Sequence, residues 1–153
     1  MSRERIYLDN NATTQILPEV VETMAVTWQT AFGNPGSQHS FGRDARPVLD
    51  QCRDTIAEIL GADPSEVIFT SGGTESINAA IYGLTLGRKG AIAMTAGEHP
   101  ATVAGCERAR QAGLKLVTLN VDADGRLVEN QLQDLPWDVL KLVTVILAHN
   151  ETG

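Results

Sequence analysis

The sequence predicts an α/β fold in which a mainly parallel sheet is flanked by helices. Short segments that are apolar at nearly every position, such as residues 142–147, are typical of strands buried on both faces. After residue 66 these segments alternate with segments whose apolar residues recur at helical spacing. Because strand–helix–strand units join parallel strands, this alternation predicts a parallel sheet.

The composition limits the classes of protein. The chain has 153 residues, of which 42% are hydrophobic and 20% charged, which suits a folded unit with its own core. With 19 acidic and 12 basic residues the net charge is −7, and no basic run could follow a nucleic acid backbone. No apolar run approaches the roughly 18 residues that a membrane helix needs, and the first residues lack the apolar core of a signal peptide. We therefore expect a cytoplasmic protein without nucleic acid or membrane partners.

A change of periodicity divides the chain into an N-terminal arm with helices, residues 1–62, and an α/β region, residues 63–153. In the first region Pro18 fits the first turn of a helix. A second helix, whose apolar positions run from Leu49 to Leu60, is expected to stop at Gly61. Pro47 fits only the first turn of that helix, or else it kinks it.

In the second region the sequence predicts alternating strands and helices. Strands are expected at residues 67–70, 91–95, 115–119 and 142–148, with helices at 74–86 and 101–112 and a weaker helix near 128–134. Cys52 and Cys106 lie in amphipathic helical patterns without a partner at metal-ligand spacing. We therefore predict that both are small core residues and that the chain has no metal site.

The segment 67–76 predicts an anion site. An apolar strand is followed by Gly72 and Gly73, then by a helix. Glycines let backbone N–H groups approach a phosphate, a helix N-terminus attracts negative charge, and the hydroxyls of Ser71 and Thr74 are further donors. The alternative is an ordinary strand-to-helix turn in which these residues serve only as turn and capping residues.

Polar residues follow three of the predicted strands, at positions 71–75, 98–100 and 149–151. The carboxyl ends of parallel strands meet at one edge of a sheet, where ligands bind. His99 precedes a proline that can begin a helix, so its ring is expected to face the cleft, unless it is only a capping or surface residue. Asn150 is expected either to bind the ligand or to be a turn residue.

These residues resemble the N-terminal part of the cysteine desulfurases, which are pyridoxal phosphate enzymes of the class V aminotransferase group. Five motifs, in order along nearly the whole chain, carry the resemblance: residues 6–14 (IYLDNNATT), 32–35 (FGNP), 61–76 (with VIFTSGGTES), 98–99 (EH) and 150–153 (NETG). Gly36 and His149 depart from the pattern, since the family more often has Ser and Asn there. The resemblance implies part of the large domain of fold-type I pyridoxal phosphate transferases.

The resemblance also implies site residues. Gly73 and Thr74 would bind the phosphate of the cofactor, pyridoxal 5'-phosphate. His99 would stack on the pyridine ring and assist proton transfer as the catalytic residue. Asn150 would hydrogen-bond the phenolic oxygen of the ring.

By the same resemblance the intact protein would be a transferase that removes sulfur from L-cysteine, giving alanine and an enzyme persulfide. A homodimer, a sulfur acceptor or iron–sulfur scaffold protein as partner, and a place in iron–sulfur cluster assembly are implied as well. A selenocysteine lyase-like relative is an alternative. A catalytically dead binding or regulatory module is another, while the loop lacks the motifs of a nucleotide-binding domain.

The lysines limit what this chain is expected to do alone. Pyridoxal phosphate chemistry needs a lysine that holds the cofactor as a Schiff base. The three lysines, Lys89, Lys115 and Lys141, lie just before or at the start of predicted strands, at the edge opposite the site. We therefore expect a truncated enzyme in which the Schiff-base lysine and the catalytic cysteine lie beyond residue 153. Such a fragment would be inactive and would bind the cofactor weakly or not at all.

Overall fold

The computed structural model describes residues 5–149, and the contacts divide the chain into two compact units, residues 1–69 and 70–153. These are called the first and the second unit below. The boundary that the sequence suggests between residues 62 and 63 stays a prediction. In the part of the chain that the structure describes, no helix is both long and apolar enough to cross a membrane.

The described part of the first unit, residues 5–69, has two α-helices and a short 3₁₀ helix. Helix α1 spans Pro18–Thr30, helix α2 spans Ser40–Leu60, and the 3₁₀ helix spans Pro64–Glu66. As predicted, α1 begins at Pro18, and α2 stops at the capping residue Gly61, whose φ of 65° is in the left-handed region that favours glycine. Pro47 lies inside α2 rather than in its first turn, so the first-turn alternative is wrong.

Few side chains of the first unit are buried. Helix α1 has no buried residue, and the buried residues of α2 are all small: Gly42, Ala45 and Ala57. Cys52 is exposed, so its predicted place in a core is wrong. The amphipathic pattern around Cys52 identified the helix correctly, but in this unit the apolar face of the helix is not buried.

The second unit, as far as residue 149, contains three strands and the helices between them. The elements, in chain order, are α3 (Gly73–Thr85), β1 (Ala91–Thr95), α4 (Pro100–Gln111), β2 (Lys115–Leu119), two 3₁₀ helices (Glu129–Asp134 and Trp137–Val139) and β3 (Leu140–Thr144). The strands lie in the order β2-β1-β3, and both pairs are parallel. The predicted α/β fold with a parallel sheet is therefore confirmed.

Two hydrophobic clusters hold the sheet between its covering layers. On one face, α3 and α4 pack on the strands through Ile81, Ile92, Met94, Cys106, Ala109 and Leu114. On the other face, Ala93 packs with Leu119 and Leu135, the last from the segment of 3₁₀ helices. Strand β1 is buried at all five positions because it is central and covered on both faces. Cys106 is a core residue, as predicted.

Three predicted elements differ from the structure. Residues 67–70 form no strand, because no neighbouring strand among residues 5–149 pairs with them. The last strand covers 140–144 instead of 142–148; its pairing ends where Thr144 lies opposite Met94, one residue before β1 itself ends. The weaker helix near residue 128 is the 3₁₀ helix Glu129–Asp134.

Candidate functional site

The N-terminus of α3 presents three backbone donors. The first helical hydrogen bond runs from the Ser76 N–H to the Gly72 carbonyl over 3.1 Å. The N–H groups of Gly73, Thr74 and Glu75, which precede it, have no acceptor among residues 5–149. These residues are exposed. The helix therefore offers a cluster of free N–H groups at its positive end, which is the donor set that a phosphate needs.

The two glycines leave this cluster accessible. A Cβ atom added at Gly72 or Gly73 would meet no atom within 4 Å. Crowding by other parts of the protein therefore does not explain why these residues are glycines. Their backbone φ angles do not require glycine either. The Thr74 hydroxyl makes no hydrogen bond within the described range and is a fourth donor beside them. A phosphate group therefore fits this site in donor chemistry and in access.

The Ser71 hydroxyl is not the free anion donor that the sequence suggests. Its N–H and its hydroxyl both donate to Glu75 Oε2, over 2.7 and 2.6 Å. The bond from the hydroxyl is the larger cause, and the bond from the backbone N–H the smaller one, of a lowered pKa of the Glu75 carboxyl. The expectation that the Ser71 hydroxyl is free for an anion is therefore wrong. The signal was present in the sequence, since a serine four residues before a glutamate at a helix start is close to a capping box.

His99 caps α4. Its Nδ1 accepts a hydrogen bond from the Ala101 N–H over 3.1 Å, and its carbonyl accepts from Thr102 and Val103. Pro100 occupies the first helical position, as predicted from the sequence. Because Nδ1 is an acceptor, the neutral ring carries its proton on Nε2. His99 is exposed, and the capping alternative is confirmed, whereas the expectation that its ring faces the cleft stays a prediction.

The structure adds a polar pair that the sequence did not suggest. Thr95, the last residue of β1, is 1% exposed, and its Oγ1 donates to Glu98 Oε1 over 2.9 Å. The Glu98 N–H donates back to the Thr95 carbonyl over 3.4 Å. The two bonds close the turn that leads to His99. A threonine ending an apolar strand three residues before a glutamate was the available signal.

A cavity of about 770 Å³ lies at the carboxyl end of the sheet. Thr95 and His149 both line it, together with Arg126 and Asp124 from the loop after β2. His149 therefore reaches the edge at which the sequence places the ligand. Asn150 lies outside the described residues, as do residues 151–153, so its predicted role in cofactor binding stays a prediction.

A second cavity, of about 850 Å³, runs along the groove between α3 and α4 and begins at Ser71, Thr74 and Glu75. His99 does not line it. Among residues 5–149 the hydrogen bonds of His99 stay within the start of α4, so no direct bond joins it to the glycine loop. The roles predicted for Gly73, Thr74 and His99 in cofactor binding stay predictions.

The lysines lie at the opposite edge of the sheet. Lys115 begins β2 and Lys141 is the second residue of β3, while Lys89 lies two residues before β1. In parallel strands these positions are at the amino ends. No group of three or more acidic, histidine or cysteine side chains that could hold a metal ion occurs within the described part of the chain.

Comparisons with known proteins agree on one family. The sequence matches the family described as Aminotransferase class-V over residues 6–153. It is 41% identical over 150 residues to a cysteine desulfurase of Trichormus azollae, and the alignment covers 97% of this chain and 38% of that protein.

Solved structures give the same result. A NifS-like protein aligns with a TM-score of 0.90 and 35% identity over 98% of this chain and 42% of its own. The structure of SspA in complex with cysteine aligns with a TM-score of 0.87 and 33% identity over 95% of this chain and 43% of its own. The chain thus spans about two fifths of the length of these relatives, 38–43%. Because the family match covers almost all of its residues, this chain belongs to the class V aminotransferases.

Proposed function

We propose that this chain forms the cofactor-phosphate and ring-binding part of a pyridoxal phosphate-dependent cysteine desulfurase. The observation that carries the proposal is the set of free N–H groups at Gly73, Thr74 and Glu75 at the start of α3. The similarity to a named cysteine desulfurase, and to SspA with cysteine bound, supports L-cysteine as the substrate. The enzyme would then release alanine and keep the sulfur as a persulfide.

The phosphate of pyridoxal phosphate would be held by Gly73 and Thr74. Three N–H groups and one hydroxyl converge on a helix terminus where the dipole adds about half a positive charge. The Glu75 carboxylate bonds to Ser71 and so does not use these three N–H groups. A dianionic phosphate gains from every one of these donors, since hydrogen bonds to charged groups are the stronger ones.

His99 would stack on the pyridine ring and assist proton transfer. When bound, the cofactor stabilises the negative charge that develops at the Cα of the substrate once its proton is removed. The Ala101 N–H occupies Nδ1 of His99, so Nε2 is the nitrogen that would exchange a proton. Asn150 would hydrogen-bond the phenolic oxygen of the ring.

The wider setting belongs to the same proposal. We propose a cytoplasmic homodimer that passes sulfur to an acceptor or to an iron–sulfur scaffold protein, without nucleic acid or membrane partners. The net charge of −7 supports the exclusion of nucleic acid.

The positions of the lysines favour a second candidate function. In this case the protein would be a module that binds the cofactor phosphate but catalyses no reaction. Lys89, Lys115 and Lys141 are all near the amino ends of the strands. Under either candidate this chain by itself gives no alanine from L-cysteine. The two differ for protein made from the complete reading frame, where the desulfurase forms alanine and persulfide and the binding module forms neither.

The phosphate site is tested by replacing Gly73 with alanine. The new methyl group meets no protein atom within 4 Å. We expect it to take up space in front of the free N–H groups that the phosphate would use. In protein made from the complete reading frame, we expect the affinity for pyridoxamine 5'-phosphate, measured by calorimetry, to fall about 10- to 100-fold, because the methyl group would cost the phosphate about one hydrogen bond to a charged group. This probe lacks the aldehyde, so reaction with surface lysines cannot contribute.

Gly83→Ala is the matched control. Gly83 lies in the same helix, and a Cβ there also meets no atom within 4 Å, but the residue is far from the helix start. Its affinity for pyridoxamine 5'-phosphate should equal that of the unmodified chain, and pyridoxamine without phosphate should bind both variants equally. Equal affinity of Gly73→Ala and Gly83→Ala for the phosphorylated probe would refute the site.

A further inference from the structure

One of the hydrogen bonds that hold the turn between β1 and α4 comes from a buried hydroxyl group. Thr95 is 1% exposed because it ends the central strand, and its Oγ1 donates to Glu98 Oε1 over 2.9 Å. The next residue, Ala96, donates its N–H to the Leu119 carbonyl at the end of β2 over 2.8 Å. The turn is therefore bonded to the sheet on one side and to the Glu98 side chain on the other.

The Glu98 side chain is directed inward. The residue is half-buried, and its charge adds to the effect of burial in raising the pKa of the Cys106 thiol, which is 0% exposed. A carboxylate partly removed from water needs a hydrogen-bond donor to compensate for its lost hydration. The Thr95 hydroxyl is that donor, so the inward position of Glu98 depends on it.

The turn at Glu98 leads directly into His99 at the start of α4. The two residues are adjacent, and the backbone of His99 begins α4 by accepting the N–H groups of Thr102 and Val103 over 2.9 and 3.1 Å. The Ala101 N–H then fixes the ring through Nδ1. A change of the turn at Glu98 would move the backbone of His99 away from the geometry in which its ring caps the helix.

We propose that Thr95 and Glu98 are positioning residues for His99, which hold its ring in the Nε2-protonated form at the carboxyl edge of the sheet. The catalytic use of that form rests on the proposed function. The positioning itself concerns only residues of this chain, so it can be tested without cofactor or substrate.

Thr95→Val is the first test, because it removes the hydroxyl and keeps the branched shape of the buried side chain. Nitrogen-15 NMR of the histidine rings reports which nitrogen of His99 is protonated, and amide hydrogen exchange of Ala101 reports the capping bond. We expect the ring to become a mixture of the two neutral forms. We also expect the protection of the Ala101 amide to fall about two- to tenfold, the equivalent of one hydrogen bond.

Thr144→Val is the matched control. Thr144 lies on the neighbouring strand opposite Met94, and its buried Oγ1 forms no hydrogen bond among the described residues. No hydrogen bond joins it to the turn within the described range. The His99 signals should be unchanged in this variant. If both variants move them equally, Thr95 acts only through the stability of the sheet and the proposal is wrong.

Glu98 supplies a second, independent test. Glu98→Gln keeps an Oε1 acceptor for the Thr95 hydroxyl, whereas Glu98→Ala removes it. We expect the Gln variant to retain the His99 ring form and the Ala variant to lose it, and the opposite result would overturn the proposal. Because neither readout involves pyridoxal phosphate, failure here leaves the Gly73 result intact, and failure of the Gly73 test leaves this one intact.

Discussion

The two units of the chain are built from equally clear sequence patterns but differ in where their stability comes from. In the second unit β1 is buried at every position, and two apolar clusters cover the sheet. In the first unit α1 has no buried residue, and only three small residues of α2 are buried. Large apolar residues such as Trp28 and Ile59 are 71% and 78% exposed.

This difference separates local from tertiary stabilisation. Caps and turns are equally well formed in both units, as Gly61 after α2 and His99 before α4 illustrate. Isolated helices are marginal in water, so packing supplies most of the stability of a helix in a protein. We therefore expect the second unit to depend on its core and the first unit to depend on local bonds and close backbone contacts.

The largest expected effect is that of Ile92→Ala in β1. Ile92 is 0% exposed in the helix-side cluster, so the change removes buried apolar surface and leaves a cavity. We expect the free energy of unfolding of the second unit to fall by about 2–5 kcal/mol. Urea unfolding followed by Trp137 fluorescence, in a Trp28→Phe background, measures this unit alone.

Ile59→Ala in α2 is the matched variant of the first unit. Because Ile59 is 78% exposed, the expected loss is within about 0.5 kcal/mol, as for ordinary surface changes. Trp28 fluorescence in a Trp137→Phe background measures it. A loss comparable to that of Ile92→Ala would mean that the first unit has a core of its own and would break the comparison.

The second prediction concerns glycines within helices. Here the substitution in the first unit, rather than the one in the second, is expected to be destabilising. A Cβ at Gly42 in α2 would lie 2.3 Å from the Ser37 carbonyl oxygen, a backbone atom that cannot turn aside. We expect Gly42→Ala to destabilise the first unit by about 1–3 kcal/mol. Gly83→Ala in α3 meets no atom within 4 Å and should stabilise the second unit by about 0.5–1 kcal/mol.

Circular dichroism during urea unfolding checks both glycine variants. A stabilising Gly42→Ala would show that the loop before α2 yields easily, and the first unit would then lack the close contacts on which this comparison relies. A destabilising Gly83→Ala would show that the groove side of α3 has less room than a methyl group needs.

The sequence predicted those elements well whose signals are local. Strands β1 and β2 have the predicted bounds, and the start of α1 follows from Pro18. The errors occur where a distant partner decides the structure. Residues 67–70 have strand composition but no pairing strand among residues 5–149, and Cys52 lies on an apolar face that no described residue buries.

The candidate site shows the same limit. The glycine loop and the capping position of His99 could be predicted, because each depends on residues next to it in the chain. The spacing of Ser71 and Glu75, and of Thr95 and Glu98, brings each pair within reach, but it does not decide that the bonds form, because a hydroxyl can choose among several acceptors in a turn. Three-dimensional side-chain geometry decides that choice.

The smallest expected effect concerns a local hydrogen-bond arrangement that occurs in both units, in which a serine donates to a nearby carboxylate. Asp63 in the first unit accepts from the Ser65 N–H and hydroxyl, as Glu75 in the second accepts from those of Ser71. In both pairs the serine hydroxyl is the larger cause, and the backbone N–H the smaller one, of a carboxyl pKa below its usual range.

A lowered pKa in the folded state stabilises the fold above the usual carboxyl range, and this contribution is lost as the pH falls through the folded-state pKa. We therefore expect Ser65→Ala and Ser71→Ala each to raise the pKa of the partner carboxyl partway to its usual value, since the backbone bond remains. Carbon-13 NMR titration of the carboxyl groups measures both. Ser76→Ala is the control for Glu75, because its hydroxyl bonds to Thr70 and Gly72 instead. Equal pKa shifts in the two units would show that these local hydrogen bonds have the same strength with or without a hydrophobic core beneath them. A pKa shift in the second unit alone would mean that even a local hydrogen bond depends on the core.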